Sequence, residues 1–325
     1  MKAIIQPQYG GPELLQLAEV AKPTPSENEV LIKVMASSVT TADSMMMTGK
    51  PYIGRLMLGL TKPTHPTPGT GFAGIVESVG EKVSKYQPGD QVFGESIKTF
   101  GTHAEYLCLE EDDLFVHMPK GIGFEEAAAV GDGVMTSLNF LHHVTTVEPW
   151  KKVLINGASG SLGSAAVQIA VEAGAYVTAV CGPDNIDFVR KLGAHEVINY
   201  SQEDFTKRQN EFDIIYDTVG KSSFQAAKGS LKTDGVYASP VLNGGLLWDM
   251  LRTSYFGRKK ARFSATGALP MKMKKQLQLK AAEYLTKGIV RPFVSRTFRL
   301  EEFREAHTII ASGHKRGNFV FTPFQ

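Results

Sequence analysis

The spacing of apolar and polar positions changes character once along the chain. Up to about residue 118 the apolar residues fall in short, β-branched runs: Glu29-Val30-Leu31-Ile32-Lys33-Val34, Phe72-Ala73-Gly74-Ile75-Val76-Glu77-Ser78-Val79, Gln91-Val92-Phe93 and Ala104-Glu105-Tyr106-Leu107. Turn formers such as Gly10-Gly11-Pro12 and Pro88-Gly89-Asp90 separate them, and this pattern predicts a β-barrel-like domain. The proline-rich stretch 62–69 can continue neither a helix nor a central strand, so it reads as a loop.

From about residue 123 strand-like and helix-like stretches alternate. Strands are expected at 153–156, 176–181, 196–200, 212–219, 235–241 and 261–266. Helices are expected between them, for example over 161–173 and 185–192, each stopped by a glycine (Gly174, Gly193) suited to a left-handed cap. Strands separated by helix-length crossovers predict a parallel sheet. A helix over 271–287, a strand, a helix over 301–312 and a strand over 318–322 follow, and this tail can close either domain.

Composition narrows the reading only at a few points. A chain of 325 residues suggests two domains. Lysine and arginine exceed aspartate and glutamate by only two, so bulk charge announces neither nucleic acid nor membrane as a partner. No apolar run approaches the ~18 residues that span a bilayer, and residues 1–7 lack the apolar core of a secretory signal. A soluble, reducing, cytoplasmic setting is expected. Cys108 and Cys181 are too few and too distant for a disulfide framework or a clustered zinc site. His103 reads as structural, and His142-His143 as a helix surface. Residues 246–262 join Trp248, Tyr255 and Phe256 to Arg252, Arg258, Lys259, Lys260 and Arg262, and no acidic residue occurs from 250 to 282. This segment reads either as a lid or polyanion-facing surface, or as an exposed linker with an aromatic anchor.

The most informative chemistry lies at Val153-Leu154-Ile155-Asn156-Gly157-Ala158-Ser159-Gly160-Ser161-Leu162-Gly163, where an apolar strand enters a turn of small residues and leaves as a helix. A pyrophosphate needs bare backbone N–H groups at a helix N-terminus, and side chains would block its approach. Gly163 lets the helix pack close to the sheet. A dinucleotide cofactor is therefore expected. NAD sites place an Asp or Glu at the tip of the second strand. Here the tip reads Val180-Cys181-Gly182-Pro183 and leaves room for a 2′-phosphate, although Asp184 follows closely. Arg190, Lys191 and Tyr200 are candidate phosphate partners. The preferred cofactor is NADPH, with NADH the alternative.

Beyond these motifs, the stretches 68–77, 89–93, 103–106 and 126–131, together with Thr136, 192–200 and 213–220, make the chain resemble the zinc-independent quinone oxidoreductase branch of the medium-chain dehydrogenase/reductase superfamily over nearly its whole length. The resemblance implies an α/β architecture: a GroES-like β-barrel domain over 1–123 and 268–325, and a Rossmann doubly wound parallel-sheet domain over 124–267, with the cofactor in the cleft between them. It implies a cofactor-binding set of Thr136, Gly157, Ala158, Ser159, Gly160, Ser161, Leu162, Gly163, Cys181, Asn185, Tyr200, Val219, Asn243, Gly317 and Asn318. It also implies a homodimer paired near 236–241 and 262–266.

The zinc branch of the same superfamily needs Cys, His or carboxylate ligands. In the resemblance Thr40 stands at the usual cysteine position and Thr70 at the usual histidine position, and no cysteine lies near Thr136. No zinc is therefore expected. Without a Lewis acid, ionising an alcohol for hydride removal is difficult, whereas a quinone or an α,β-unsaturated carbonyl already accepts hydride at carbon. The chain also departs from the family: Met45 replaces a tyrosine common after the first-domain aspartate. Tyr52 and Thr40 are the candidate catalytic residues, with water or a ribose hydroxyl as the other proton source. The three methionines Met45, Met46 and Met47 read as packing or as the wall of an apolar pocket. The expected function is NADPH-dependent reduction of a quinone or enone. The alternatives are a non-catalytic NADP(H)-binding sensor or polyanion binder, and an alcohol dehydrogenase. No nucleic-acid partner and no stable membrane insertion are expected.

Overall fold

The computed structural model describes residues 1–50, 52–313 and 315–324, with the side chains of Ile53, Met57 and Asp132 outside the description. It divides into two units. One comprises Met1–Asp132, Gln278–Thr286 and Pro292–Gln325; the other comprises Gly133–Leu277 and Lys287–Arg291.

The first unit is built on a seven-stranded sheet in the order Val294–Phe298, Asn318–Phe321, Glu29–Val39, Gly71–Val79, Gln91–Glu95, Leu114–His117, with Tyr106–Glu110 also paired to Glu29–Val39. Glu29–Val39 runs well past the predicted run at 29–34. Irregularities in its register between Leu31 and Ile32 and between Val34 and Ala36 let it pair with three partners. Its continuation carries Ser37 and Ser38, polar residues that break the apolar pattern but are buried, with Ser37 Oγ 2.9 Å from Thr102 Oγ1. The tail closes this unit: Phe319 pairs with Val39 and Phe321 with Ser37. Phe298, Phe303, Phe319 and Phe321 then share a core with Ile4, Leu15, Val39 and Met47. Phe124–Ala128 packs against Glu29–Val39 and Gly71–Val79.

The second unit is the expected Rossmann domain. Its six strands, Lys152–Asn156, Tyr176–Cys181, Glu196–Asn199, Phe212–Asp217, Leu231–Ser239 and Lys260–Phe263, form one parallel sheet. In sheet order they run third, second, first, fourth, fifth, sixth. The direction of travel reverses between the first and fourth strands, and in such sheets ligands bind beyond the carboxyl ends at that switch point. The helix Ser161–Glu172 follows the first strand and ends before Gly174, at φ +77°. Gly193, at φ +100°, performs the same stop after Ile186–Lys191. The fourth strand stops at Asp217, two residues short of its predicted end, because the chain there wraps around the aspartate. Leu154, Val180, Ile198, Phe212, Ile215, Tyr237 and Leu246 form the core of this unit.

Candidate nucleotide-binding site

Three glycines in the first turn of the parallel sheet are glycine for three different reasons. Gly157 sits at φ +82°, and a Cβ there would lie 2.3 Å from Val219 Cγ2 and 2.7 Å from Thr218 Oγ1. It is required by both backbone sign and space. Gly163 is in the helix, where a Cβ would lie 2.1 Å from the Gly157 carbonyl oxygen and 2.7 Å from Ala158 Cα. It lets the helix lie against the turn. Gly160 has φ −77° and ψ 179°, open to any residue, and a Cβ there would meet only Gly157 O, at 3.5 Å. Nothing in the protein demands glycine at this position. Its bareness leaves clearance for a group outside the chain at the helix N-terminus.

The turn is held rigidly. Gly157 N–H and Ala158 N–H both donate to Val180 O, at 3.1 and 3.0 Å, and Gly160 N–H donates to Gly157 O at 3.1 Å. No side chain caps the helix that starts at Ser161, and its first turn holds no acidic residue. The positive end of the helix dipole is thus left for an anion. Ser159 and Leu162 are half-buried, and Ala158 and Ser161 are buried, around this turn. Ser137 Oγ donates to Leu162 O at 2.8 Å, which ties the segment carrying Thr136 to the first turn of the helix.

At the tip of the second strand, Tyr200 N–H donates to Cys181 O at 3.1 Å. The Tyr200 hydroxyl comes so close over Gly182 that a Cβ there would sit 3.0 Å from it. Cys181 and Gly182 are buried, while Tyr200 is 63% exposed. Burial pushes the Cys181 thiol up to about 11, against the opposing pull of Arg190. Asp184 is exposed in the short turn Pro183–Asn185, and Asn185 precedes the next helix without capping it. Arg190 is exposed, 3.7 Å from Asp187.

The carboxyl end of the fourth strand holds a group that sequence reasoning passed over. Asp217 is fully buried. Its Oδ1 accepts from Asn156 Nδ2 at 2.9 Å, Val219 N–H at 3.1 Å and Gly220 N–H at 3.0 Å. Its Oδ2 accepts from Ser222 N–H at 3.1 Å and the Tyr237 hydroxyl at 2.7 Å. Burial, and then this carboxylate, raises the Tyr237 phenol above its ordinary range. One carboxylate thereby shapes the loop 217–222, which places Val219 over Gly157. The stretch 213–220 was visible as a motif, but nothing in a linear pattern showed that Asp217 would gather donors from the first strand, the loop after the fourth and the fifth strand. Beside it, a shallow indentation is lined by Gly220, Ser222, Tyr237, Ser239, Val241 and Asn243, and the buried Ser222 Oγ has no hydrogen-bond partner. Asn243 uses its side chain to cap the helix Gly244–Tyr255, Oδ1 accepting from Leu246 N–H at 2.9 Å.

Thus the structure brings Gly157–Gly163, Thr136, Val219 and Asn243 to the carboxyl edge of the sheet, with Cys181, Asn185 and Tyr200 at the tip of the second strand. The remaining predicted residues belong to the first unit. Gly317, at φ +55°, packs on Phe293 O, and buried Asn318 donates its side-chain N–H to the same carbonyl at 3.2 Å. Thr40 is a buried helix cap: Oγ1 accepts from Asp43 N–H at 3.1 Å and donates to Asp43 Oδ2 at 2.8 Å. Tyr52 is 66% exposed, with the Arg55 guanidinium 4.9 Å from its ring centre. Met47 is buried in the core and Met45 is exposed. Among the described residues no group of three or more His, Cys, Asp or Glu side chains could hold a metal ion. His103 is buried with Nε2 3.0 Å from Ser38 O, and burial lowers its basicity against the pull of Asp43.

Comparisons with known proteins agree with this layout. Residues 26–120 match the family model of the alcohol dehydrogenase GroES-like domain, and residues 192–321 match that of the zinc-binding dehydrogenases. The chain is 33% identical to the quinone oxidoreductase of Sus scrofa, over 98% of this chain and 95% of that one. It is 32% identical to a Mus musculus protein described as a mitochondrial NAD(P)H oxidoreductase, over 98% of this chain and 88% of the relative. Among solved structures, the quinone oxidoreductase of Coxiella burnetii superposes with a TM-score of 0.86 at 28% identity, covering 99% of both chains.

Proposed function

The chain belongs to the quinone oxidoreductase branch of the medium-chain dehydrogenase/reductase superfamily, and from that membership we propose that it is an NADPH-dependent, zinc-independent reductase of quinones or α,β-unsaturated carbonyl compounds. The observation that carries the cofactor reading is Gly160, a glycine that neither φ nor packing requires, at an uncapped helix N-terminus.

When bound, the reduced nicotinamide supplies a hydride. The chain's own residues bind and orient. The backbone N–H groups of Ser159, Leu162 and Gly163, at the start of the helix, would take the pyrophosphate. The Cys181–Gly182 tip offers no carboxylate to repel a 2′-phosphate, which favours NADPH over NADH, with Tyr200 and Arg190 at hand as partners. The loop ordered by Asp217, together with Asn243, borders the space beyond the strand ends, where fixed geometry lowers the cost of bringing donor and acceptor together.

A catalytic zinc does not fit the donors present. The hydroxyl of Thr40, at the position where zinc relatives place a cysteine, is engaged with Asp43 as a helix cap, and a threonine hydroxyl is a poor ligand for zinc in any case. No step is therefore assigned to a metal. The acceptor must already be electron-poor at carbon: hydride adds there, the electron pair moves to oxygen, and a proton from solvent or a hydroxyl completes the reduction. Support for the acceptor class comes from the family and from this donor set.

The test is NADPH and NADH oxidation with a panel of quinones and enones, alongside elemental analysis of the purified protein. Turnover with NADPH and without stoichiometric zinc is expected. NADPH binding with no turnover of any acceptor would favour a sensor instead. Stoichiometric zinc with alcohol oxidation would favour a dehydrogenase. A homodimer is expected as for the resemblance, and a monomer mass by light scattering would contradict it.

A further inference from the structure

We propose that Asn139 is the positioning residue for the nicotinamide half of the cofactor, acting through Thr136; the inference rests on the dinucleotide reading of the 157–163 turn. Thr136 stands in a segment of unusual winding. Two π turns, Gly131–Met135 and Asn139–Val144, flank the single α turn Thr136–Leu138. Such turns are rare and recur at functional sites. Each takes up about one residue more than an α turn, which swings the residues beyond it by about 100° from where a regular helix would face them. The facing of Thr136 therefore depends on both π turns persisting. Every residue from Gly133 to Leu141 is buried except Thr136, which is half-buried.

The ties of this segment show which part of the cofactor it meets. In a sheet of this strand order a dinucleotide crosses the switch point, with its adenosine half over the first and second strands and its other half over the fourth to sixth. Gly133 lies so close to the helix after the first strand that a Cβ would sit 2.7 Å from Ser161 Oγ and 2.8 Å from Ser161 O. Ser137 Oγ donates to Leu162 O in the same helix. From there the segment reaches across to the other half. The Phe140 ring stacks on Tyr216 of the fourth strand, with centres 4.8 Å apart. Asn139 reaches further: its side-chain amide donates to Ser264 Oγ at 2.9 Å and to Thr266 Oγ1 at 3.1 Å, just past the sixth strand. Asn139 is 1% exposed, so these two contacts fix an amide that would be costly to leave unpaired. It also opens the second π turn, which Thr145 closes by donating its N–H and its hydroxyl to Phe140 O at 2.9 and 2.8 Å. Without the Asn139 contacts this turn is free to rewind as α-helix. Thr136 would then turn relative to the sheet, while the tip at Cys181 and Tyr200 would stay as it is.

The test compares two ligands. NADPH fills both halves of the site, and adenosine 2′,5′-bisphosphate fills only the adenosine half. Asn139→Leu keeps the side-chain volume and removes the donors. It should weaken NADPH binding about tenfold and reduce the fluorescence gain of bound NADPH, with adenosine 2′,5′-bisphosphate affinity within about twofold of the parent. Ser264→Ala combined with Thr266→Val removes the same contacts from their half-buried partners, and carries the test if Asn139→Leu does not fold. It should give the same pattern, and joining it to Asn139→Leu should add little, because both act on one contact. The inference is overturned if these variants bind NADPH like the parent, if both ligands weaken equally, as a general structural defect would produce, or if the two sets of changes add in full. A change of mass by light scattering with NADPH affinity kept would also overturn it, by assigning the tie to the subunit seam. A parent protein that binds neither ligand would overturn the dinucleotide reading itself, and this inference with it.

Discussion

Gly160 and Gly163 lie three residues apart in one turn, yet replacing each with alanine should produce opposite phenotypes. At Gly163 the new Cβ would lie 2.1 Å from Gly157 O and 2.7 Å from both Gly157 C and Ala158 Cα, all backbone atoms that cannot rotate away. Relief requires the turn and the helix to part by about 1 Å, enough to forfeit much of the dispersion contact between them. Overpacking of this kind costs about 1–3 kcal/mol or more, and the better helix propensity of alanine returns about 1. Three clashes with fixed backbone atoms put the cost at the upper end, so a net loss of about 2 kcal/mol remains, a melting temperature lower by about 4–8 °C in a domain of this size. At Gly160 the new Cβ has room and the backbone is already extended. Reduced freedom of the unfolded chain gains about 0.4–1 kcal/mol, and loss of glycine at an N-cap costs a similar amount. Stability should therefore stay within about 1 kcal/mol of the parent.

The ligand reverses the ranking. A methyl group at Gly160 stands where a phosphate must approach, and losing one hydrogen bond to a charged group costs about 1.5–3 kcal/mol, or roughly 10–100-fold in affinity. Calorimetric melting of the free proteins and NADPH titration by fluorescence measure the two effects separately. Gly160→Ala that binds NADPH as tightly as the parent would refute the clearance argument. Gly163→Ala with unchanged melting would refute the packing argument.

Other outcomes follow from buried polar groups. His307 is 1% exposed with neither ring nitrogen bonded; burial, and then neighbouring His103, lowers it to about 3. The unfolded imidazole takes its proton near 6.5, so this group costs no stability above that pH and about 1.4 kcal/mol per unit below it, until the folded value is reached. Urea unfolding at pH 7 and pH 5 should show a drop smaller by about 2 kcal/mol in His307→Leu than in the parent; equal drops would contradict the assignment. Asp217→Asn replaces an acceptor of five hydrogen bonds with a group that must turn donors toward donors, and should cost about 2–4 kcal/mol along with NADPH affinity, measured by melting and titration. Burial also pushes the thiols of Cys108 and Cys181 up to about 11, leaving about one thiolate in ten thousand at pH 7. Both should react with a thiol reagent far more slowly in the folded protein than in urea, and fast labelling of either would refute it.

Much of the Rossmann unit was legible because each link is local. Apolar runs, glycine stops and crossover lengths are properties of neighbouring residues, and six predicted strands correspond to the six observed. The first unit was harder to read. The end of Glu29–Val39 is a buried strand written in Ala-Ser-Ser-Val, in which the Ser37 hydroxyl finds its partner far away in sequence, at Thr102. The tail had no local sign of which unit it joins. That is decided by Phe319, Phe321 and Phe298 meeting Ile4 and Val39, contacts about 300 residues apart in the chain.

The site divides along the same line. The glycines could be found because their neighbours name their purpose, but the sequence could not say which of them serves the protein and which serves a ligand; that distinction lies in three-dimensional surroundings that leave no room for a Cβ at Gly157 and Gly163 and leave room at Gly160. Asp217 stayed hidden because its role is to collect Asn156, Tyr237 and three backbone N–H groups, none of which predicts it. Thr40 shows the converse. As a missing cysteine it argued against zinc by absence. As a cap it has a task of its own, since its hydroxyl and N–H both engage Asp43. Returning a cysteine to position 40 would therefore not restore a metal site: it would supply one thiol, leave Thr70 and the rest of the set unchanged, and remove the cap from Thr41–Thr48 at a cost of about 1 kcal/mol.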